Sequence, residues 1–250
     1  MQSVGFAFFV FFIVEYGGIV FMELKGRLKA VASFIKDAHT MADIGTDHAY
    51  LPVYLIQQGI VAKAIACDVN MGPCQAARRT IAAAGLSEKI AVRLGDGLRP
   101  LNTNEVEAVA IAGMGGTTMI DILTGAPQVI TSLGSLILQP MNSALQLRKW
   151  LVNNKWLIVD EELVLEDGRL YEIIYAKPGE MTVSEEIFYE VGPCLWEKQH
   201  NLLPLHLENL LKQATKIMQA MAENSTAKQS VKYQQLQEKA NVLKGMLECL

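Results

Sequence analysis

Two acidic residues, Asp43 and Asp68, end consecutive apolar segments of the sequence and are the first candidates for chemistry. The first segment leads into Asp43-Ile44-Gly45-Thr46-Asp47-His48-Ala49-Tyr50-Leu51-Pro52, a polar turn followed by an apolar stretch with helical spacing. A strand, a turn and a helix in this order hold a small ligand at the carboxyl end of the strand. Carboxylates at these positions suit ribose hydroxyls or a cationic ligand and disfavour a pyrophosphate.

The turn after Asp43 differs from the glycine-rich turn of dinucleotide-binding proteins. That turn reads G-x-G-x-x-G, which lets the backbone approach a pyrophosphate, whereas the matching positions here are Gly45, Asp47 and Tyr50. Asp47 would repel a pyrophosphate and Tyr50 would crowd it, so a dinucleotide-dependent dehydrogenase is disfavoured. A ligand with a sulfonium, an ammonium and a ribose suits this acidic turn, and S-adenosylmethionine is such a ligand.

The ends of the following segments fit the same ligand. Asp68 can accept both ribose hydroxyls through its two oxygens, and Gly95-Asp96-Gly97-Leu98 offers an acid to an adenine amino group. Gly113-Met114-Gly115-Gly116 leaves an open floor beside the transferable methyl group, and Gln139-Pro140-Met141-Asn142 offers two amides to a polar substrate edge. Each feature alone has a structural explanation, such as a helix cap or a turn. Their joint placement at successive segment ends favours a ligand site.

Strand-like and helix-like segments alternate along the part of the chain that carries these residues. The sequence predicts strands at 40–44, 62–69, 89–94, 107–112 and 135–139, and helices at 23–36, 49–58, 72–84, 117–123 and 144–153. This order predicts an α/β fold with a mostly parallel, Rossmann-like sheet. Segments 157–166 and 170–176, joined by Asp167-Gly168, predict an antiparallel hairpin at one edge of that sheet.

The sequence divides into three regions. Residues 1–21 contain an apolar run that is shorter than the ~20 residues of a membrane-spanning helix and lack a signal-peptide pattern. We therefore interpret them as an extension before a native start at Met22, with a membrane or interfacial anchor as the alternative. Residues 22–180 form the donor-binding domain, and leucines at helical spacing within 181–250 predict an antiparallel helical hairpin of coiled-coil type.

Composition limits the partners. The chain has 250 residues, 51% of them hydrophobic, and a net charge of −4, which gives no global sign of nucleic-acid binding. Between Lys198 and Lys244, however, seven lysines stand against three glutamates, which fits either a solvated helix face or contact with a polyanion. The four cysteines form no C-x-x-C pair and share no ligand spacing with the histidines, so no metal is expected.

The motifs at the segment ends, in this order and spacing, closely resemble those of the bacterial tRNA (adenine-N1) methyltransferase family that modifies adenine 22. The resemblance covers about residues 22–250 and includes Val191-Gly192-Pro193 before the helical region. It implies a class I methyltransferase fold with a C-terminal coiled coil, S-adenosylmethionine as donor and tRNA as substrate. We accordingly expect a cytoplasmic monomer that needs neither a metal nor a membrane.

Candidate site residues follow from the motifs and the resemblance together. The predicted catalytic residues are Asp47, Met114 and Gly115. The predicted donor-binding residues are Asp43, Gly45, Thr46, His48, Asp68, Val69, Asp96, Gly97 and Gly113. The predicted substrate-binding residues are Gly116, Gln139, Pro140, Asn142, Arg78, Arg79, Lys212 and Lys216.

The expected chemistry is direct attack by the adenine N1 lone pair on the donor methyl group, with positioning as the main contribution of the protein. N1 lies on the Watson–Crick edge, so the base must be unpaired or extruded first. Methylation makes the ring cationic, and Asp47 is the candidate for stabilising that charge or for holding the donor ammonium. Two alternatives stay open: a methyltransferase for another RNA, a protein or a small molecule, and a non-catalytic tRNA-binding module.

Overall fold

Strands and helices alternate along the residues up to Met181, and the computed structural model describes the chain at residues 11–16 and 19–250. The strands are β1 (Phe11–Tyr16), β2 (Ile19–Leu24), β3 (Thr40–Ile44), β4 (Lys63–Asp68), β5 (Ile90–Leu94), β6 (Ala108–Met114), β7 (Ser135–Pro140), β8 (Trp156–Glu166) and β9 (Arg169–Pro178). The helices of this part are α1 (Gly26–Ser33), α2 (Tyr50–Gln57), α3 (Met71–Ala83), α4 (Gly116–Thr124), α5 (Pro127–Ile130) and α6 (Ala144–Asn153).

Seven strands form one mixed sheet in the order β5-β4-β3-β6-β7-β9-β8. Strands β3 to β7 pair in parallel, whereas β9 pairs antiparallel with both β7 and β8. The predicted α/β fold with an antiparallel hairpin at one edge is confirmed. The chain order places the carboxyl ends of the five parallel strands, and thus the predicted motifs, at one edge of the sheet.

The central strands are covered on both faces, which explains why their sequences are apolar throughout. All six residues of β7 are buried, as are five of the six residues of β4. A parallel sheet with helices on both faces requires such runs instead of an alternating pattern. Because the core holds these strands rigidly, the loops that follow them start from fixed positions.

The first helix begins later than predicted, because residues 19–24 form a strand. Strand β2 pairs antiparallel with β1, and its Met22 and Leu24 side chains are buried in the core. The Met22 amide donates to Oε1 of Gln57 at 2.8 Å. The prediction for residues 1–21 falls partly on residues 1–10, 17 and 18, which lie outside the described residues. Within the described ranges no helix has the length and apolar character needed to cross a bilayer.

Residues 182–250 form a second compact unit made of helices. These are α7 (Ile187–Val191), α8 (Pro193–Glu197), α9 (Leu203–Ala222), α10 (Ser225–Lys228) and α11 (Val231–Glu248). The long helices α9 and α11 pack on each other and bury small and apolar residues, among them Leu207, Ala214 and Leu243. Asn224 and Ser230 accept hydrogen bonds from the first-turn amides of α10 and α11, so the polar connector ends one helix and begins the next. The predicted helical hairpin is present, with a short extra helix in its connector.

Candidate active site

A cavity of about 370 Å³ opens at the carboxyl edge of the parallel strands. This volume is within the range of small-molecule sites. Six of the predicted residues line it: Gly45, Asp68, Val69, Asp96, Gly97 and Met114. We call residues 43–50, 68–70 and 95–98 the donor loops, and residues 113–116 and 139–143 the acceptor loops.

Asp43 lies beneath the first donor loop and is only 7% exposed. Its Oδ2 accepts a hydrogen bond from Oγ1 of Thr46 at 2.6 Å. Burial raises the pKa of the Asp43 carboxyl to about 6 against the opposing effect of the Thr46 hydrogen bond, and the charge of Asp68 raises it further. Asp43 does not cap α2, whose N-cap residue is Ala49, so the helix-cap explanation fails for this acid.

Asp68 faces the cavity from the end of β4. It is 9% exposed, and its Oδ1 accepts a hydrogen bond from the Asn70 amide at 2.7 Å. Asp96, in contrast, has 61% of its side chain exposed and pairs with Nη1 of Arg99 at 3.0 Å. Both acids therefore line the same cavity, but only Asp68 is held in a largely dry environment, where a hydrogen bond to a charged group is strong.

Asp47 and His48 project from the first donor loop and do not line the cavity. The Asp47 side chain is 72% exposed, and its Oδ2 lies 3.6 Å from Nε2 of His48. The His48 ring stacks on Tyr50 at a centroid distance of 5.0 Å. Burial raises the pKa of the Tyr50 hydroxyl, and the charge of Asp47 adds to the effect. The catalytic role of Asp47 and the donor-binding role of His48 stay predictions.

The first donor loop contacts the first acceptor loop through Met114. The Met114 methyl carbon is 2.1 Å from the position that a Cβ on Gly45 would occupy, so a side chain at Gly45 would displace it. The amides of Gly45 and Thr46 donate to the Cys67 carbonyl at 2.8 and 3.0 Å, which fixes the loop to the end of β4. Met114 thus forms one wall of the cavity and packs against a loop that these hydrogen bonds hold in place.

The two acceptor loops contact each other through backbone atoms. A Cβ on Gly116 would lie 2.5 Å from the Ser143 carbonyl oxygen and 2.9 Å from that of Asn142, and the Gly116 amide donates to Asn142 O at 3.0 Å. Gly116 was predicted to contact the substrate, but it is buried at this junction. The correction is that Gly116 permits the close approach of the two loops. Asn142 is exposed, and its Oδ1 lies 3.0 Å from the Cβ position of Gly115, so it stays a candidate for substrate contact.

Gln139 also has a role other than the predicted one. Its side chain is fully buried, its Oε1 accepts from the Gly113 amide at 3.1 Å and from Nη1 of Arg27 at 2.9 Å, and its Nε2 donates to the Pro140 carbonyl at 3.1 Å. Pro140 is buried as well. In this arrangement the Gln139 amide is occupied within the protein and is not presented to a substrate, because the sheet edge buries it completely.

Some residues at the site were not singled out from the sequence, and others lie away from it. Arg27 of α1 reaches Gln139, and Thr118 and Asp121 of α4 line the cavity. The apolar spacing in α1 indicates only which residues pack in the core, so it does not indicate that Arg27 contacts Gln139. The predicted substrate residues Arg78 and Arg79 are exposed on α3, and Lys212 and Lys216 are exposed on α9 of the second unit. No group of three or more His, Cys, Asp or Glu side chains among the described residues could hold a metal ion.

A mostly parallel sheet with acids at the ends of β3 and β4 and a glycine-rich loop after β6 is consistent with a methyltransferase domain. Residues 24–174 match the family described as methyltransferase domain. Over 233 residues the chain is 32% identical to the tRNA (adenine(22)-N(1))-methyltransferase of Bacillus subtilis (strain 168), covering 91% of this chain and 98% of that protein. The chain belongs to the tRNA (adenine(22)-N1)-methyltransferase family, as its motifs predict.

Solved structures agree over the same extent. The crystal structure of the B. subtilis m1A22 tRNA methyltransferase has a TM-score of 0.82 and 33% identity, covering 90% of this chain and 99% of that one. A Streptococcus pneumoniae protein in complex with S-adenosyl-L-methionine has a TM-score of 0.78 and 36% identity, covering 88% of this chain and 98% of that one. Both similarities span the helical unit as well as the sheet.

Proposed function

We propose that this protein transfers a methyl group from S-adenosylmethionine to N1 of adenine 22 in tRNA. The observation that carries the proposal is the acidic cavity at the carboxyl edge of the sheet, in a chain that matches its B. subtilis relative over nearly the full length of both. Its volume and its acids fit a cation that carries a ribose, and they do not fit a pyrophosphate.

The donor loops supply the groups that such a ligand needs. Asp68 accepts hydrogen bonds from the ribose hydroxyls, Asp96 accepts from the adenine amine, and exposed Val69 packs on the adenine face. Asp43 places negative charge below the turn and stabilises a cationic ligand above it. When bound, S-adenosylmethionine supplies an electrophilic methyl group.

The acceptor loops prepare the place where the adenine enters. Gly113 and Gly115 present no side chain there, and exposed Asn142 beside Gly115 contacts an edge of the base. None of the four residues from Gly113 to Gly116 carries a side-chain oxygen or nitrogen acceptor, and the ring nitrogen N1 needs none because it already has a lone pair. The protein's contribution is positioning, for which ~7–11 kcal/mol is available in favourable cases.

Asp47 stabilises the cationic ring that forms when N1 is methylated. Its carboxylate is exposed on the first donor loop, with Oδ2 at 3.6 Å from Nε2 of His48, and a carboxylate placed there can stabilise a developing positive charge. The Asp47→Ala variant should keep its donor affinity and lose most of its turnover, as single-turnover assays would show. Full methyl transfer by this variant would remove Asp47 from any essential role.

The tRNA is held by basic residues on both units. Arg78 and Arg79 are exposed on α3, and Lys212 and Lys216 lie one helical turn apart on α9. Clustered basic side chains bind the phosphates of a nucleic acid, and the affinity of such binding falls steeply as the salt concentration rises. The protein acts in the cytoplasm on tRNA, as a monomer whose helical unit is the coiled-coil domain.

The proposed function is tested with labelled S-adenosylmethionine and unmodified tRNA, followed by digestion and identification of the nucleoside. We expect N1-methyladenosine from one position of the D-arm region. Label in a different nucleoside, or in protein or small molecules alone, would favour a methyltransferase with another substrate. Retention of tRNA without label would favour a non-catalytic binding module.

A further inference from the structure

Arg27, at the start of α1, is tied to the acceptor loops by contacts that the proposed chemistry leaves unused. Its Nη1 donates to Oε1 of Gln139 at 2.9 Å, and its Nε pairs with Oε2 of Glu166 at 3.2 Å. Its guanidinium carbon lies 5.1 Å from the ring centroid of Tyr171. A guanidinium held by an acid, an amide and an aromatic ring has a defined orientation.

The contact with Arg27 determines how the Gln139 amide is turned. Two donors, Nη1 of Arg27 and the Gly113 amide, converge on Oε1, while Nε2 donates to the Pro140 carbonyl. Turning the amide by half a rotation would set an NH₂ group against both donors and a carbonyl against a carbonyl. Because Gln139 is fully buried, water cannot replace a lost partner.

The orientation of Gln139 in turn fixes the backbone beside the cavity. Gly113 has a φ of +78°, and the pairing of β6 with β7 shifts register between Ala112 and Met114. A non-glycine residue rarely takes this φ, so the end of β6 has an irregular backbone at Gly113. The hydrogen bond from the Gly113 amide to Gln139 stabilises this backbone. Met114 follows directly and forms the cavity wall against Gly45.

We propose that Arg27 is a positioning residue for methyl transfer, acting through Gln139 and Gly113 on the cavity wall at Met114. This inference rests on the proposed function for the reaction that is positioned. A charge-assisted hydrogen bond to the buried amide makes Arg27 the strongest link of this relay. Glu166 and Tyr171 keep the guanidinium in place.

The test compares Arg27→Met with Arg27→Lys, alone and in a Gln139→Met background. Arg27→Met should lower kcat on the order of 10- to 100-fold, with the donor Kd and the KM for tRNA changed less than about threefold. Arg27→Lys should recover at least part of the loss, because lysine can still donate to Oε1. In the Gln139→Met background, Arg27→Met should lower kcat less than about threefold further, since the two residues act in one chain.

Lys63→Met is the control, because Lys63 is an exposed cation at the amino end of β4, at the opposite edge of the sheet from the cavity and outside the relay. It should leave kcat unchanged. A raised KM for tRNA with an unchanged kcat would make Arg27 a direct tRNA contact and overturn the proposal. Independent effects of Arg27→Met and Gln139→Met on kcat would also overturn it. So would losses of donor affinity and of thermal stability in Arg27→Met that are large enough to account for the whole fall in kcat.

Amide exchange at Gly113, measured by NMR on the full-length protein without substrate, reports on the relay independently of activity. Arg27→Met should accelerate this exchange about tenfold or more, which corresponds to the loss of one hydrogen bond. Unchanged exchange would overturn the relay whatever the activity. If Arg27→Met accelerates the exchange but the wild-type protein methylates no tRNA, the relay stands and the proposed function is overturned.

Discussion

The donor loops and the acceptor loops lie at the same sheet edge but use their residues in opposite ways. In the donor loops, carboxylates face the cavity directly, as Asp68 and Asp96 do. In the acceptor loops, most contacts are made within the protein. The buried Gln139 side chain accepts a hydrogen bond from the Gly113 amide, and Gly116 packs closely against two backbone carbonyl oxygens. We infer that the donor loops bind a ligand through their charged side chains, whereas the acceptor loops position it through the packing of their backbone.

This difference predicts different responses to substitution. Removing an acid that faces the cavity, Asp68 or Asp96, should weaken ligand binding and leave the rate of the bound complex nearly intact. Disturbing the acceptor side should leave donor binding intact and lower the rate, because misplacement by a fraction of an ångström is costly for a transfer between two held groups.

The largest effect should come from Asp68→Ala. Two charge-assisted hydrogen bonds to ribose hydroxyls contribute about 3 kcal/mol or more, so the Kd for S-adenosylmethionine should rise at least about 100-fold in calorimetry. Asp96→Ala, which removes a mostly exposed acid, should raise it about tenfold or less. A change below threefold for Asp68→Ala would show that Asp68 does not hold the ribose hydroxyls.

Gly116→Ala should act on the rate instead. Its Cβ would lie 2.5 Å from a backbone oxygen of Ser143, so the two acceptor loops must separate. We expect kcat to fall on the order of 10- to 100-fold in single-turnover assays, with donor affinity changed less than about threefold. Gly72→Ala on α3 is the control, because its Cβ meets no atom within 4 Å and the change should be neutral or slightly stabilising. Wild-type turnover by Gly116→Ala would show that the loop junction does not matter.

The pH dependence of donor binding should reveal Asp43. A cationic ligand favours its ionised form, and burial raises its pKa to about 6 in the free protein. Donor affinity should therefore rise about tenfold between about pH 5 and 7, with proton release on binding, and Asp43→Asn should flatten this profile. Equal affinity across that range would remove Asp43 from donor binding.

The Asp43 carboxyl should also affect the stability of the free protein, which should fall as the pH rises while donor affinity increases. A raised folded-state pKa contributes stability that is fully present below the unfolded value of 3.8 and is lost as the pH rises through about 6. The free energy of unfolding should thus decline by about 3 kcal/mol from this group by neutral pH. Asp43→Asn should abolish that decline in denaturant titrations.

The smallest effect should come from the helical unit. The double variant Lys212→Ala with Lys216→Ala should weaken tRNA binding a few-fold and make the slope of log affinity against log salt less steep by about one to two. The matched control is Lys63→Ala with Lys89→Ala, because these exposed lysines lie at the amino ends of β4 and β5. An unchanged salt slope would assign Lys212 and Lys216 to a solvated face.

The sequence predicts the fold, and it predicts that the donor loops meet at one sheet edge, because both depend on signals that are local in the chain. Alternating apolar segments place the five strand ends, and Asp68, at the end of one of them, lines the cavity with its own side chain. The acceptor side could not be predicted in the same way. Gln139 was expected to face a substrate, but its role depends on Arg27, which is 112 residues away in the chain. Burial and a hydrogen-bond partner at that distance have no local signature.

We infer that this protein transfers a methyl group to N1 of adenine 22. The most direct test compares two tRNA transcripts that differ only at position 22, one with adenine and one with guanine, under saturating S-adenosylmethionine. The adenine transcript should gain one methyl group per molecule, recovered as N1-methyladenosine, and the guanine transcript none above background. Equal methylation of both transcripts would show that adenine 22 is not the methylated base.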